Sequence, residues 1–175
     1  MVIWIVGLSG AGKTTLANEV VAEVRREKRN VFLIDGDLIR EAFGNDLGHS
    51  MKDRRKNADR ICQLGKLLDD QGIDVVCAIL SLFLESRTWN RKNLTNYYEV
   101  FIDTPMNDLV QRDSKGLYRK FHAGAIKDVA GLDIDFPRPD DADLIISNVS
   151  SKDVLLSFAK SIAEKITGEG NDLSV

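Results

Sequence analysis

Several features that would place this chain in a specialised class are missing from its 175 residues. No apolar run approaches the roughly 20 residues needed to cross a bilayer, and the short apolar stretch at residues 2–6 lacks the flanking signals of a leader peptide. The two cysteines, Cys62 and Cys77, lack metal-ligand spacing, so a disulfide scaffold and a zinc site are both poorly supported. We expect a soluble, cytoplasmic protein in which both cysteines fill the core.

An excess of basic residues is also absent. Lys and Arg number 24 against 27 Asp and Glu, which gives a net charge of −3. This balance argues against a large basic surface for polymeric nucleic acid, but it permits a local cationic pocket for a small anionic ligand. With 43% hydrophobic residues the chain can fill one sizeable core. We therefore predict a single domain over residues 1–167, followed by a flexible C-terminal tail at residues 168–175.

Short apolar runs recur along the sequence, separated by segments with helical spacing. They are rich in Val and Ile and lie at residues 2–6, 31–34, 73–80, 98–102 and 144–146. Such runs are typical of strands that are buried on both faces, and their alternation with helices predicts an α/β fold with a parallel sheet covered on both sides. Thr104 is expected to cap a helix that has Pro105 at its first position. Residues 115–139 show no clear periodicity, which predicts a lid or a binding loop.

Residues 7–14 read GLSGAGKT and match the phosphate-loop pattern. This segment follows a predicted buried strand and opens a predicted helix, so backbone N–H groups and the helix N-terminus converge on one anion site. Lys13 would bridge the outer phosphates of ATP, and Thr14 would hold Mg²⁺ through its hydroxyl. The predicted nucleotide-binding residues are Gly7, Ser9, Gly10, Ala11, Gly12, Lys13, Thr14 and Thr15.

A phosphate loop alone does not distinguish a kinase from a GTPase switch or a transport ATPase. The Asn-Lys-x-Asp motif of guanine-specific switches is absent. Residues 69–72 read DDQG and fit the loose Asp-x-x-Gly pattern of a switch loop, but they end a predicted helix instead of following a strand. We therefore interpret Gly72 as a helix-terminating glycine.

Two carboxylates, Asp35 and Asp37, follow the second predicted strand, and Arg40 comes three residues later. Ligands of an open parallel sheet bind beyond the carboxyl ends of the strands, so we expect both carboxylates to face the phosphate loop from the neighbouring strand. There they could order Mg²⁺ and orient an incoming hydroxyl. The alternative is an Asp-rich turn that caps the next helix. In combination with the phosphate loop, the pattern favours the functional interpretation.

These motifs, taken with others further along, resemble those of adenylylsulfate kinases. The resemblance covers about residues 2–148 and, beyond the phosphate loop, rests on DGDxxR at 35–40, DLGxS at 46–50, DRxxN at 53–57, RDxKGLY at 112–118, GxIK at 124–127 and GxD at 131–133. It implies a three-layer P-loop NTPase fold with a parallel sheet and helices on both faces. It also implies a kinase that needs ATP and Mg²⁺ and phosphorylates the 3′-hydroxyl of a nucleotide, normally adenosine 5′-phosphosulfate.

The resemblance assigns roles to individual residues. Asp37 would orient or deprotonate the 3′-hydroxyl, Asp35 and Thr14 would support the metal, and Arg112 would lie against the ATP base. Closure of the lid at residues 115–139 would exclude water from the transfer. The expected catalytic residues are Lys13, Asp35 and Asp37, and the expected acceptor-binding residues are Asp37, Arg40, His49, Arg54, Asn57, Ser81, Lys127 and Val129. For Arg54, a simple helix-surface position is the alternative.

The expected acceptor pocket departs from the family pattern. Adenylylsulfate kinases typically have Phe at the positions of His49 and Val129, and those two rings enclose the adenine. The Ser-Pro after the third strand becomes Ser81-Leu82, and the Tyr-Glu-x-Pro of the lid becomes Phe-Pro-Arg-Pro at 136–139. Stacking on an aromatic face contributes about 1 to 3 kcal/mol per base. Loss of both rings therefore predicts weaker binding of an adenine acceptor.

Three hypotheses remain open. The chain is an adenylylsulfate kinase with a diverged base pocket, or it phosphorylates the 3′-hydroxyl of another nucleotide, such as the cytidine diphosphate derivative CDP-phosphoramidate that relatives of the family use. His49 could hydrogen-bond a smaller pyrimidine, or it could be a loop residue without a ligand role. The third hypothesis is a non-catalytic ATP-binding regulatory module, which the intact Lys13, Thr14, Asp35 and Asp37 oppose. Expected partners are small-molecule nucleotides, with no nucleic acid polymer and no membrane, and a homodimer is a candidate assembly.

Overall fold

The computed structural model describes residues 1–27, 30–113, 115–148 and 151–168, so all but the first residue of the predicted tail lies outside the described residues. The strands are β1 (Val2–Val6), β2 (Val31–Asp35), β3 (Asp74–Ile79), β4 (Tyr97–Asp103) and β5 (Leu144–Ser147). The helices are α1 (Lys13–Arg26), α2 (Gly36–Ala42), α3 (Met51–Asp70), α4 (Leu84–Asn93), α5 (Met106–Arg112), α6 (Leu117–His122), α7 (Lys152–Ser157) and α8 (Ala159–Thr167).

The strands form one parallel sheet in the order β2-β3-β1-β4-β5. Each predicted apolar run becomes a strand, with ends that shift by one residue at most. Every residue of β1 is buried, as expected for a strand with helices on both of its faces. The predicted α/β fold is therefore confirmed.

The two faces of the sheet carry separate cores because successive side chains of a strand point to opposite sides. Ile3 and Ile5 of β1 pack with residues of α1, α7 and α8 on one face. Trp4 packs on the other face with Ile61 and Cys62 of α3. Both cysteines are free and buried in that second core, as predicted. Helix, sheet and helix thus form the three layers expected of a P-loop NTPase.

One expectation about the sheet is wrong: β2, which ends at Asp35, does not neighbour β1. β3 lies between them and pairs with both. The burial of the strands explains this order. β3 is almost wholly buried and belongs in the interior of the sheet, whereas β2 exposes Phe32 and lies at the edge. Asp35 nevertheless reaches the phosphate loop, because α1 crosses over β3 and packs against β2 as well.

Predictions about helix ends had mixed outcomes. Gly72 adopts a positive φ of 71° just after α3, and its N–H donates to the carbonyl of Asp69, so it terminates the helix as predicted. The expected cap at Thr104 is wrong. Pro105 itself occupies the N-cap of α5, and within the described residues the buried Thr104 hydroxyl has no hydrogen-bond partner. No helix in the described ranges is long and apolar enough to cross a membrane.

Candidate active site

A cavity of about 660 Å³ opens at the edge of the sheet where β1, β2 and β3 end. It collects predicted residues from distant parts of the chain: Ser9, Lys13, Thr14, Asp35, Asp37, Arg40, His49, Arg54, Asn57, Ser81 and Val129. The predicted residues outside its described lining are Gly7, Gly10, Ala11, Gly12, Thr15, Arg112 and Lys127. The structure therefore joins the expected catalytic and acceptor-binding groups around one space, apart from Lys127, which is exposed.

The phosphate loop connects β1 to α1, and glycine is required at two of its positions. Gly12 has a φ of 101°, and a Cβ there would lie 2.5 Å from Leu155 of α7. A Cβ at Gly7 would lie 2.9 Å from the carbonyl oxygen of Ile102 on β4. The loop is therefore wedged between a strand and a helix, so its backbone amides hold a fixed geometry.

Asn148 supports the phosphate loop from the far end of the chain, and the sequence analysis did not identify it. Its buried side-chain amide donates to the carbonyl of Ala11 at 2.7 Å. Its own carbonyl accepts a hydrogen bond from Arg112 Nη2 at 2.9 Å. Arg112, expected beside the ATP base, is thus anchored next to the loop. No local pattern could have revealed Asn148, because the contact depends on the position of β5.

Lys13 is the cation of the loop. Its ammonium donates to the carbonyl of Leu8 at 2.8 Å. Burial, with a smaller contribution from the nearby Lys115, lowers the pKa of Lys13 to about 8, although Asp35 and Asp37 act in the opposite direction. The negative charge of a polyphosphate would raise this pKa again.

Asp35 combines the two roles that the sequence left as alternatives. One oxygen, Oδ1, accepts the backbone N–H of Asp37 at 2.9 Å and caps α2. The other, Oδ2, accepts the Thr14 hydroxyl at 2.7 Å. A hydroxyl and a carboxylate side by side are hard oxygen ligands of the kind that Mg²⁺ prefers, with substrate phosphates and water supplying the rest. Among the described residues, no group of three or more His, Cys, Asp or Glu side chains is arranged to hold a metal ion.

Asp37 lies beside Asp35 and is engaged by the lid. Lys115 Nζ donates to Asp37 Oδ2 at 2.6 Å. Burial raises the pKa of Asp37, but this hydrogen bond and the charge of Lys115 outweigh burial and leave the pKa below its ordinary value. The carboxylate is therefore ionised at neutral pH. Lys115 belongs to the KGLY block, which was recognised in the sequence without a role for its lysine.

A second contact ties the lid to the phosphate loop. Tyr118 of α6 is buried, and its hydroxyl donates to the carbonyl of Ser9 at 2.8 Å. Asp113 caps the same helix by accepting the N–H groups of Tyr118 and Arg119. The short helix α6 lies within the segment for which no periodicity was found, and its six residues are too few to give a helical pattern. With these contacts, the lid rests on the donor site.

Arg40 and Arg54 frame the acceptor side of the cavity. Arg40 Nη1 donates to the carbonyl of Gly48 at 2.7 Å, and Arg54 Nε donates to the carbonyl of His49 at 2.7 Å. Arg54 also reaches the lid through the carbonyl of Asp128 at 2.8 Å. Arg54 is therefore more than a surface residue of α3. Burial lowers the pKa of Arg54, and the adjacent Arg40 adds to this effect, so an anion bound here would stabilise the charged form of Arg54.

The remaining acceptor-side residues form the base of the cavity. The Asn57 side chain is buried, and its Oδ1 has no hydrogen-bond partner among the described residues. Val129 is 2% exposed, and its N–H donates to Asp133 Oδ1 at 2.6 Å. His49 is more accessible. Partial burial lowers its pKa, and Arg40 and Arg54 lower it further, so the imidazole is neutral at pH 7 and can both donate and accept.

The chain is similar to known proteins over most of its length. Residues 1–147 match the family model described as adenylylsulphate kinase. A cytidine diphosphoramidate kinase of Campylobacter jejuni is 41% identical over 150 residues, which cover 84% of this chain and 85% of that protein. An adenylyl-sulfate kinase of Pseudomonas aeruginosa is 38% identical over 151 residues, 85% of this chain and 77% of that protein. The Mycobacterium tuberculosis APS kinase CysC, solved with AMPPNP and APS, superimposes with a TM-score of 0.81 at 33% identity, covering 95% of each chain.

The lowered pKa of Lys13 predicts that ATP binding weakens above about pH 8. Below that pH the ammonium is already protonated in the free protein, so the affinity stays level. Above it, binding must take up a proton, because the phosphates raise the pKa again, and the affinity falls by up to about tenfold per pH unit. Calorimetric titration with AMPPNP across this range measures the effect. Lys13→Arg stays charged throughout and should give a level profile; a level profile for the unmodified protein would contradict the prediction.

Proposed function

The chain belongs to the adenylylsulphate kinase family and is an ATP-dependent nucleotide kinase, and we propose that it transfers the γ-phosphoryl group of ATP to the 3′-hydroxyl of a nucleotide. The observation that carries the proposal is that one cavity is lined both by Lys13 and the Thr14–Asp35 pair and by Arg40 and Arg54. Asp37 belongs to the same lining. A regulatory module that only binds ATP would not need an ionised carboxylate at that point.

In the proposed transfer, Asp37 orients the 3′-hydroxyl and accepts its proton. The hydroxyl oxygen forms a bond to the γ-phosphorus while the bond from that phosphorus to the β,γ-bridging oxygen breaks, which releases ADP. Lys115 Nζ donates to Asp37 Oδ2, so a 3′-hydroxyl that bonds to the same oxygen would displace its ammonium. The freed Lys115 and Lys13 would then face the charge that builds up on the phosphates.

We propose Thr14 and Asp35 as the residues that hold Mg²⁺. The cation would neutralise charge on the β- and γ-phosphates of the donor. Asp35 cannot swing away, because its other oxygen caps α2. The chain's own part is therefore to present two oxygen atoms in a fixed position beside the phosphate loop.

Two acceptors are candidates. Adenosine 5′-phosphosulfate is supported by the family match and by the similarity to the CysC structure. A cytidine diphosphate derivative such as CDP-phosphoramidate is supported by His49 and Val129, which line the cavity where adenylylsulfate kinases typically carry two Phe, and by the similarity to a cytidine diphosphoramidate kinase. A neutral imidazole can hydrogen-bond a pyrimidine edge, and the missing rings remove the surfaces on which adenine stacks. These residues favour the cytidine derivative.

A homodimer and a cytoplasmic location complete the proposal.

Acceptor-dependent ADP release tests the function directly. We expect ADP release above the acceptor-free rate with adenosine 5′-phosphosulfate or CDP-phosphoramidate. Release should be much slower with AMP and CMP, which carry a 5′ phosphate without the sulfate or phosphoramidate group attached to it. Product analysis should find the new phosphate on the 3′-oxygen. Silence with every acceptor, by a protein that binds AMPPNP, would overturn the assignment as a kinase of this type.

Asp37→Asn should lower kcat by about 100- to 10,000-fold, because the amide cannot accept the hydroxyl proton. Affinity for AMPPNP should change little, since Asp37 faces the acceptor. Glu41→Gln, an exposed acid on the same helix, is the matched control and should keep full activity. Equal loss in both variants, or normal turnover in Asp37→Asn, would remove Asp37 from the proposed role.

His49→Phe combined with Val129→Phe should shift selectivity toward adenine. The ratio of kcat/KM for the adenine acceptor to that for the cytidine acceptor should rise about tenfold or more, because stacking faces are restored. Val129 is buried, so thermal unfolding must first show that the double variant folds. His49→Phe alone avoids overpacking and should give part of the shift. An unchanged ratio in folded variants would place base selection elsewhere.

A further inference from the structure

Arg87 is a buried cation that the proposed reaction does not yet use. It lies in α4, directly after the third strand and its loop, and is 3% exposed. Its guanidinium donates from Nη1 to the carbonyl of Ser81 and from Nη2 to the carbonyl of Pro137, both at 3.1 Å. One rigid group therefore joins the base of the acceptor cavity to the end of the lid segment.

The contact with Ser81 matters because the backbone there is strained. Ser81 has a φ of 56°, a left-handed conformation that side-chain-bearing residues rarely adopt. This conformation places Ser81 in the cavity lining, where its hydroxyl also accepts a weak hydrogen bond from Trp4 at 3.5 Å. The hydrogen bond from Arg87 to the Ser81 carbonyl stabilises the strained turn and thereby the position of its side chain.

The second carbonyl that Arg87 binds belongs to Pro137, near the end of the segment predicted to be a lid. Pro137 follows Phe136, whose ring packs against Phe101 of β4 with centroids 6.0 Å apart. Arg87 thus fixes the place where the lid segment returns to the sheet. Ser81-Leu82 and residues 136–139 are also the two segments, outside the base pocket, where the sequence departs from the family pattern. The Arg87 side chain therefore contacts both of these divergent segments.

A carboxylate on β4 keeps the guanidinium in place. Glu99 is 1% exposed, and its Oε1 lies 3.6 Å from Arg87 Nε. Burial raises the pKa of Glu99, while a hydrogen bond from Tyr97 and the charges of Arg87 and Arg91 oppose that rise. A guanidinium presents several donors in a fixed plane, which an ammonium cannot do. Lysine at position 87 would keep the charge but could not hold both carbonyls in the same geometry.

We propose that Arg87 is a positioning residue for the acceptor nucleotide, which holds Ser81 and Pro137 at a set spacing so that the cavity and the lid fit the same ligand. This inference rests on the proposed function and extends it. Arg87 itself touches neither donor nor acceptor in this assignment; it acts through the backbone of Ser81, which lines the cavity, and of Pro137, near the end of the segment predicted to be a lid. ATP binding is assigned to the phosphate loop, which Arg87 does not contact, so it should not depend on Arg87.

The test compares Arg87→Lys with Arg91→Lys. Arg91 lies one turn further along α4 and shares the carboxylate of Glu99, but its hydrogen bonds go to Asp143 and to the carbonyl of Asp141, away from the cavity. We expect Arg87→Lys to raise the KM for the acceptor about 10- to 100-fold, the size of one or two lost charge-assisted hydrogen bonds, with the KM for ATP within about twofold. Arg91→Lys should leave both KM values near those of the unmodified protein.

Unchanged acceptor KM in a folded Arg87→Lys, or equal changes in both variants, would overturn the proposal and leave Arg87 a structural residue only. If Arg87→Lys does not fold, Glu99→Gln keeps the guanidinium and removes its charge partner. Glu99→Gln should also raise the acceptor KM, but by a smaller factor than Arg87→Lys. A normal acceptor KM in this variant would count against the proposal.

Hydrogen exchange separates this inference from the proposed function, because it needs no turnover. In Arg87→Lys the backbone amides around residues 79–83 and 134–138 should exchange faster than in the unmodified protein, and in Arg91→Lys they should not. If the unmodified protein phosphorylates no acceptor, the proposed function fails, and the exchange data still decide whether Arg87 couples the two segments. Equal exchange in all three proteins would overturn that coupling.

Discussion

The hydrogen bond from the Thr14 hydroxyl to Asp35 holds the two halves of the active site together. It joins the phosphate loop after β1 to the tip of β2, across the intervening β3. Because Asp35 also caps α2, the donor side fixes the start of the helix that carries Asp37 and Arg40. Asp37, Asp35 and Arg40, the residues proposed as catalytic carboxylate, metal ligand and acceptor-binding arginine, therefore depend on one point of the phosphate loop for their positions. A small displacement there would misplace all three.

The segment predicted to be a lid makes a second set of contacts with the phosphate loop and Asp37. Tyr118 binds the loop at Ser9, and Lys115 binds Asp37. The segment predicted to be a lid therefore contacts both the phosphate loop and the carboxylate proposed to accept the proton. The Lys115–Asp37 pair is exposed, and exposed ion pairs contribute little net stability, so an acceptor could displace the ammonium at a modest cost.

The sequence predicted the strands and most of the site because both are local properties. Runs of Val and Ile identify buried strands, and the motifs around Lys13, Asp35 and Arg54 have fixed spacing. What could not be predicted depends on tertiary packing. The insertion of β3 between β1 and β2, the support of Ala11 by Asn148, and the bridge made by Arg87 each join segments whose proximity no local pattern encodes. The unused hydroxyl of Thr104 shows the reverse case, a strong local signal that packing overrides.

The link between Ala11 and Asn148 spans 137 positions of the chain. A ribosome adds Asn148 137 residues after Ala11, so the loop is made long before the side chain that supports it. Gly12, which packs close to Leu155 of α7, depends on the same later segment. A nascent chain therefore carries the complete nucleotide motif before that motif has the contacts that fix its shape, and a polypeptide that stops short of α7 would lack them.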